Sequence, residues 1–274
     1  MTDLPLESFA TAIREIALLA GEEILAVYES DFTVRSKQDH SPVTAADETA
    51  EHLILEKLAL LTPTFPVLAE ESFAEGAIPD VSEGPFWAID PLDGTLNFLH
   101  GYPQFAVSIA LTVKGRLDQA VIYDPMRDEL FTASRGAGAQ LNGHRMRVAR
   151  CLQLDNALLA TGFAVRRKSE LRACLDSLGH MLDHCADVRR AGAAALDLAY
   201  VACARLDGFW EFGLKPWDVA AGSLLIQESG GLVGDTEGGN AHVERGDIVA
   251  ANPKLFRQIL TVLAHQRAAQ AAIT

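Results

Sequence analysis

Residues 87–97 have the sequence Trp-Ala-Ile-Asp-Pro-Leu-Asp-Gly-Thr-Leu-Asn, in which an apolar strand is predicted to run into a tight turn. The strand ends at Asp90, and Pro91 enforces the turn because it has no N–H group and a fixed φ. Asp93 lies three residues after Asp90, so the turn can bring both carboxylates to one side. The segment therefore predicts a strand whose carboxyl end carries two acids.

The residues around this turn offer groups that suit both a cation and an anion. The Leu92 carbonyl can point to the same side as the two carboxylates, and Gly94 permits a close approach of the backbone. Thr95 is predicted to open a helix, whose free N–H groups attract anions. The combination indicates a site for a hard cation and a phosphate group. The alternative is a polar surface turn, because Asp, Pro and Gly are common in turns.

Acids at the ends of other predicted elements favour the cation site over the surface turn. Glu70 ends the preceding strand, Glu211 ends a later one, and Asp218 stands at a predicted helix start. Such positions can converge on one crevice. Carboxylates about 5 Å apart repel each other by roughly 3 kcal/mol at an effective dielectric constant near 20, so several of them together would need cations. Oxygen ligands without His or Cys favour Mg²⁺ over Zn²⁺.

Apolar periodicity predicts helices and strands along the whole chain. The predicted helices cover residues 6–28, 45–61, 170–185, 193–204, 219–229 and 253–271. The predicted strands cover residues 66–69, 86–89, 105–113, 119–123, 129–134, 145–148, 157–161, 208–211 and 248–251. Thr44 is a candidate N-cap of the second helix, with Asp47 completing a capping box.

The pattern changes near Cys151, which predicts two halves. An N-terminal α+β half, residues 1–150, would contain an antiparallel meander and the main metal site. A C-terminal α/β half, residues 151–274, would complete that site. Between the halves there is no linker rich in Pro, Ser or Gly, so we expect them to pack tightly.

Composition and charge exclude several classes of protein. The 274 residues are 49% hydrophobic and 22% charged, which is typical of a globular protein with a large core. A net charge of −14 disfavours direct binding to nucleic acid or to anionic lipid. No apolar run approaches the roughly 20 residues that span a bilayer. Acids near the start of the chain interrupt any secretory signal, and four widely spaced cysteines suggest free thiols in the cytoplasm.

The motifs resemble the signatures of the inositol monophosphatase family over almost the whole chain. Residues 90–97 resemble the family's D-P-[IL]-D-G-T-x-N signature, and residues 217–222 resemble its W-D-x-A-A-G signature. Glu70 and Glu71 resemble its upstream acidic pair, and residues 44–47 its T-x-x-D motif. Residues 123–127, 136–143 and 190–200 are similar to the bacterial extragenic-suppressor branch.

This resemblance implies a layered αβαβα sandwich, of mixed α+β and α/β character. It implies a phosphatase, usually a homodimer and often inhibited by Li⁺, that uses two or three Mg²⁺ ions, with Mn²⁺ able to substitute. The implied ligands of the first metal are Glu70, Asp90 and the Leu92 carbonyl. Those of the second are Asp90, Asp93 and Asp218, and Glu70 would also help to hold a third ion.

The resemblance also implies roles for residues around the metals. Thr95, paired with Asp47, would orient the attacking water, with Glu70 and Asp93 completing the catalytic set. The Gly94 and Thr95 N–H groups would hold the phosphate. Substrate contacts would come from Asp218, Glu211 and the turn Gly192, Ala193 and Ala194, and Lys37 would border a metal-site loop. The sequence departs from the family pattern at Phe163 and Ala164, where some members have a substrate-contacting Ser, and at Ala193, where Ser or Thr is frequent.

Two functions of different class remain open at this stage. The leading hypothesis is a Mg²⁺-dependent phosphomonoesterase that acts on inositol 1-phosphate or a related polyol or sugar monophosphate. Histidinol phosphate, fructose-1,6-bisphosphate, nucleotide 3′-phosphates and NADP are alternative substrates. The second hypothesis is a partner of transcription complexes and RNA maturation, whose phosphatase activity is incidental.

Overall fold

The computed structural model describes residues 6–30, 34–36, 42–73, 84–163 and 168–271. Lys37, which the resemblance places at the border of a metal-site loop, lies outside these ranges. Within them, no helix is long and apolar enough to cross a membrane.

The described ranges contain eight α-helices, fourteen strands and a short 3₁₀ helix at Leu154–Asn156. The helices are α1 (Leu6–Tyr28), α2 (Ala45–Leu61), α3 (Thr95–Leu99), α4 (Lys168–Leu182), α5 (Ala194–Ala202), α6 (Pro216–Glu228), α7 (His242–Arg245) and α8 (Pro253–Ala271). The strands are β1 (Val34–Ser36), β2 (Pro42–Thr44), β3 (Val67–Ala69), β4 (Phe86–Asp93), β5 (Ala106–Val113), β6 (Arg116–Asp124), β7 (Glu129–Ser134), β8 (Gly138–Leu141), β9 (His144–Arg145), β10 (Leu158–Thr161), β11 (Asp187–Arg189), β12 (Gly208–Glu211), β13 (Leu232–Gly234) and β14 (Ile248–Ala251).

A seven-stranded sheet, in the order β3-β4-β5-β6-β7-β8-β9, holds the first half of the site. Strands β3 and β4 are parallel, and every other neighbouring pair in this sheet is antiparallel. All eight residues of β4 are buried, because helices cover both faces of the sheet. Trp87 is fully buried and its Nε1 donates to Thr62 Oγ1 at 2.9 Å. The strand that ends in the two acids is therefore fixed from both sides.

A five-stranded sheet, in the order β11-β10-β12-β14-β13, forms the other half. Strands β11, β10 and β12 are parallel to one another, whereas β14 is antiparallel to both of its neighbours. The carboxyl ends of β10, β11 and β12 therefore lie at one edge, and Glu211 is the last residue of β12. This edge places Glu211 beside the loops that follow β10 and β11.

The helices and sheets stack as five layers. Helices α1 and α2 cover the outer face of the seven-stranded sheet, α5 and α6 lie between the sheets, and α4 and α8 cover the five-stranded sheet. Small side chains bring α5 and α6 close together: a Cβ on Gly222 would overlap the side chain of Leu198. The predicted αβαβα sandwich is confirmed. One apolar core joins residues from both sheets through α5 and α6, and the division at residue 150 stays a prediction.

The strand predicted at residues 145–148 is wrong. The chain forms β8 and β9 there, joined by a turn at Asn142 and Gly143, and then leaves the sheet. The Val148 N–H donates to the Ser229 carbonyl at 3.2 Å, at the end of α6, so a contact with a distant helix replaces strand pairing. The short strands β1, β2, β8, β11 and β13 were not predicted.

Candidate active site

The turn predicted at the end of β4 places two acids on the inner side of the sheet. Pairing of β4 with β5 shifts register between Asp90 and Asp93, which gives the local bulge that the Pro91 turn requires. Asp90 is 1% exposed, and its Oδ1 accepts from the Leu92 N–H at 2.9 Å. Asp93 Oδ2 accepts from the Ala195 N–H at 2.7 Å, at the start of α5. Asp93 thus ties the first sheet to the middle helical layer.

Two further acids are held next to Asp90 by backbone contacts. The Glu70 N–H donates to the Ile89 carbonyl at 3.2 Å, so Glu70 lies beside the last turn of β4. Ser108 of β5 is the residue that pairs with Asp90 of β4, and its Oγ donates to the Trp217 carbonyl at 3.2 Å. That bond brings the start of α6, and with it Asp218, to the same place.

The acids are close enough for their charges to raise the pKa of Asp90, Asp93 and Asp218. Burial raises the pKa of Asp90 well above its ordinary value, and the charges of Glu70, Asp93 and Asp218 raise it further. Burial also raises the pKa of Asp93 to about 7, with Glu70 and Glu211 adding to the rise. The pKa of Asp218 is raised by burial, then by Glu70 and Asp93. The structure therefore brings together the four acids that the sequence proposed as metal ligands.

This set of acids fits a hard divalent cation in its chemistry. The donors are carboxylate oxygens with the Leu92 carbonyl nearby, which is the ligand class of Mg²⁺. In the part of the chain that the structure describes, no three His, Cys, Asp or Glu side chains already stand in an arrangement that could hold one ion. The carboxylates would have to rotate toward a bound ion, whose charge would relieve their mutual repulsion.

A hydroxyl and a carboxylate lie beside the acids, at the start of α3. Thr95 Oγ1 donates to Asp47 Oδ1 at 2.9 Å, with the Leu92 carbonyl 3.2 Å away. The other oxygen of Asp47 accepts from the Thr44 N–H at 2.7 Å and from Thr44 Oγ1 at 2.6 Å, which is the predicted capping box of α2. Burial raises the pKa of Asp47 from its ordinary value. The sequence thus fixes Asp47 by local helix capping, and the fold brings Thr95 to it.

The turn at residues 192–194, predicted to contact substrate, lies against Gly94 and the start of α3. Asn97 Nδ2 donates to the Gln104 carbonyl at 2.7 Å and to the Ala191 carbonyl at 2.9 Å, which holds the turn onto α3. Gly94 has φ +95°, and a Cβ there would lie 3.3 Å from the Cβ of Ala193. Ala193 therefore borders Gly94, and the substrate contacts of residues 192–194 stay a prediction.

Glu211 forms the opposite wall, at the end of β12. Its carboxylate lies directly on Gly162, because a Cβ on that glycine would overlap it. The pKa of Glu211 is raised to about 8, first by burial and then by the charge of Asp218, whereas Arg190 opposes the rise. Glu211 is therefore in electrostatic contact with both the metal-site acids and a cation.

Three charged residues of the site were missed by the sequence reasoning: Asp197, Glu51 and Arg190. Asp197 is 2% exposed, and its pKa is raised by burial and then by Glu211 and Asp93. Glu51 is 5% exposed and accepts from the Glu71 N–H at 2.8 Å. A signal for Asp197 was available, because it is a lone acid among apolar residues of its helix, and Glu51 follows Asp47 by one turn on the buried face of α2. For Arg190 no comparable sequence signal existed.

Comparisons with known proteins agree with this architecture. The model of the inositol monophosphatase family matches residues 5–270. The chain is 47% identical over 243 residues to the Nus factor SuhB of Escherichia coli (strain K12), with 88% of this chain and 90% of that protein covered.

Two solved structures have a similar fold. The extragenic suppressor protein suhB from Bartonella henselae has a TM-score of 0.87 and 40% identity, with 93% of this chain and 98% of that chain covered. The inositol monophosphatase from Anabaena (Nostoc) sp. PCC 7120 has a TM-score of 0.84 and 38% identity, with 95% and 96% covered.

Proposed function

The chain belongs to the inositol monophosphatase family, whose members are phosphatases and generally metal-dependent, and from this premise we propose that it hydrolyses the phosphate monoester of inositol 1-phosphate or a related polyol or sugar with Mg²⁺. The observation that supports this proposal best is the closeness of Glu70 to three aspartates, Asp90, Asp93 and Asp218, whose pKa values its charge raises. Such a set of buried and half-buried acids is costly to ionise without a cation, and a divalent ion beside a helix start suits a phosphate ester. Two or three ions would bind, and Mn²⁺ would substitute for Mg²⁺.

The proposed metal ligands are the residues that the resemblance implied. Glu70, Asp90 and the Leu92 carbonyl would hold one ion, and Asp90, Asp93 and Asp218 the second. When bound, Mg²⁺ supplies Lewis-acid activation of water and neutralises charge on the phosphate oxygens.

Thr95 and Asp47 would orient the attacking water. The Thr95 hydroxyl proton is directed to Asp47 Oδ1 at 2.9 Å, which leaves a lone pair of Oγ1 to accept a hydrogen bond from water. Asp47 is itself fixed by two bonds from Thr44, so this orientation needs little rearrangement. The proton taken from water would pass through Thr95 toward Asp47. The roles of Glu70 and Asp93 in catalysis would be exerted through the ion they hold.

The phosphate and the rest of the substrate would contact different residues near Asp93. The Gly94 and Thr95 N–H groups at the start of α3 would hold the phosphate. Asp218, Glu211 and the turn at Gly192, Ala193 and Ala194 would contact the hydroxyl groups of the substrate.

The experiment that tests this proposal is release of inorganic phosphate from inositol 1-phosphate, with and without Mg²⁺. We expect wild-type activity to require Mg²⁺ and the Asp93→Asn variant to lose it by at least about a hundredfold. Asp155→Asn is the matched control, because Asp155 is exposed and distant from these acids in sequence. Equal rates in wild type and Asp93→Asn would contradict the proposal.

A role in a transcription complex is a second candidate, supported by the name Nus factor SuhB of the Escherichia coli relative. We propose that a surface outside the metal site binds a protein partner in the cytoplasm. Affinity capture with wild type and with Asp93→Asn tests this, because the same partners should be retained by both. Loss of every partner in the inactive variant would count against a separate binding role.

The homodimer that the resemblance implied is also a proposal. Light scattering over a range of protein concentrations measures the mass in solution, and a mass of one chain throughout would contradict it.

A further inference from the structure

Arg190 presents an exposed guanidinium at the rim of the candidate site. It follows β11 directly, and Phe163 lies just after β10, the parallel neighbour of β11. The Arg190 Cζ lies 5.8 Å from the centroid of the Phe163 ring. A cation over an aromatic ring at this distance is attracted to its face, so the ring fixes where the guanidinium stands.

The guanidinium stands beside the residues proposed to contact substrate. A Cβ on Gly192 would lie 2.8 Å from Arg190 Nη1, so the guanidinium lies over the predicted substrate turn. Gly162, the residue before Phe163, is covered by the carboxylate of Glu211. Gly162 and Phe163, adjacent in one loop, thus contact Glu211 and Arg190 respectively. The carboxyl group and the guanidinium therefore lie beside the same space.

Electrostatics agrees with this placement. The charge of Arg190 lowers the pKa of Glu211 and that of Asp197, against the larger effect of their burial. Among the residues that the structure describes, Arg190 has no carboxylate within ion-pair distance. Its neighbour Arg189 is different, because its Nη1 is paired with Asp187. The N–H groups of Arg190 are therefore available toward the described part of the site.

The surrounding charge selects the kind of group that Arg190 can bind. A second phosphate would need several donors or a clear excess of positive charge, whereas this place offers one guanidinium beside two acidic side chains, Glu211 and Asp197. Neighbouring hydroxyl groups suit the pair better, because a carboxylate accepts from one hydroxyl and a guanidinium donates to the other. Ala193 offers no competing hydroxyl in the turn.

We propose that Arg190 and Glu211 together bind two adjacent hydroxyl groups of the substrate, and that Arg190 thereby determines specificity for polyol monophosphates over bisphosphates. This inference rests on the proposed phosphatase function and adds a residue to its substrate contacts. The Phe163 ring, which stands where a polar residue occurs in some family members, would serve to hold the guanidinium.

The test compares two esters that differ in their hydroxyl groups. Inositol 1-phosphate and cyclohexyl phosphate carry the same six-membered ring, and the second has no hydroxyls. We expect Arg190→Gln to lower the ratio of kcat/KM for inositol 1-phosphate to that for cyclohexyl phosphate by about tenfold. Arg190→Lys should restore part of that ratio because it keeps a donor and the charge. Arg189→Gln, a change of the same kind one residue away, should leave the ratio as in wild type.

Each outcome separates this inference from the proposed function. If wild type hydrolyses neither ester with Mg²⁺, the proposed function fails. If wild type is active but Arg190→Gln slows both esters equally, Arg190 acts on the site as a whole and the inference is overturned. Fructose-1,6-bisphosphate gives a further check, because preference for it in wild type, lost in Arg190→Gln, would show that Arg190 binds a second phosphate instead.

Discussion

Replacing Asp93 by Asn should stabilise the metal-free protein at neutral pH while it removes a metal ligand. Asp93 is 9% exposed, and its pKa rises from 3.8 to about 7 in the folded chain, because of burial and then of Glu70 and Glu211. Asn keeps the shape of the side chain and an oxygen that accepts from the Ala195 N–H. The substitution removes the negative charge, whose formation is unfavourable in the folded chain.

The pH dependence follows from the direction of this shift. Below pH 4 Asp93 is largely protonated in the folded and unfolded chains, so its ionisation does not affect stability. Between pH 4 and 7 the unfolded chain releases the proton and the folded chain retains it, so wild type loses stability as pH rises. Each pKa unit corresponds to about 1.4 kcal/mol, which makes the loss about 4 kcal/mol by pH 8.

Urea unfolding in excess EDTA, followed by circular dichroism at pH 4 and pH 8, measures this effect. We expect the free energy of unfolding of Asp93→Asn to exceed that of wild type by about 4 kcal/mol more at pH 8 than at pH 4. Asp155→Asn should show no such pH-dependent difference. Addition of Mg²⁺ should stabilise wild type more than Asp93→Asn, because a ligand stabilises the state that binds it. A difference between wild type and Asp93→Asn that is independent of pH would contradict the raised pKa of Asp93 in the folded chain.

Three other substitutions have defined outcomes. Gly94→Ala should lower the free energy of unfolding by about 1–3 kcal/mol, because φ is +95° and a Cβ would meet a backbone oxygen at 2.8 Å. Its control is Gly136→Ala, at φ +79° with open space around it, which should lower the free energy of unfolding less. Equal urea midpoints for the two variants would contradict this prediction. Thr95→Val should lower kcat in the phosphate-release assay by at least about a hundredfold, because it removes the hydroxyl that donates to Asp47. Thr95→Ser keeps a hydroxyl and should retain most of the activity. A fully active Thr95→Val variant would show that Thr95 has no role in the mechanism. Burial lowers the pKa of His242 from 6.5 to about 4, so the folded protein loses up to about 3 kcal/mol of stability as pH falls from 6.5 to 4. In urea unfolding, the free energy of unfolding of His242→Gln should decline less over this pH range. The same decline in wild type and variant would contradict the prediction.

Elements with a strong local signal were predicted well from the sequence. Helix α2 begins where Thr44 and Asp47 form their capping box, and strands β12 and β14 have the predicted bounds. In these cases the periodicity and the cap lie within the element itself. Local sequence then suffices, because the tertiary contacts agree with it.

The elements that were missed depend on distant partners. The three-residue strands β11 and β13 pair at the two edges of the five-stranded sheet, and their own sequences carry too few residues for an alternating pattern to appear. The error at residues 145–148 has the same origin, since Val148 bonds to Ser229 at the end of α6. A window of local sequence contains no information about that contact.

The candidate site divides in the same way. Asp90, Asp93, Glu211 and Asp218 were recognisable because each stands at the end of a strand or the start of a helix. Their convergence could be expected from the topology of such ends. The placement of Arg190 depends on Phe163, which follows a different strand and meets it only because β10 and β11 are parallel neighbours. That relation becomes visible only in the folded chain.

The most direct test of whether the buried carboxylates form a cation site is calorimetric titration of Mg²⁺ into chelator-treated protein. Inositol 1-phosphate is present, and a Thr95→Val background prevents its turnover. Saturable heat that disappears when Asp90→Asn is added to that background is the predicted result. No heat in either protein, or equal heat in both, would contradict a metal centre built on Asp90.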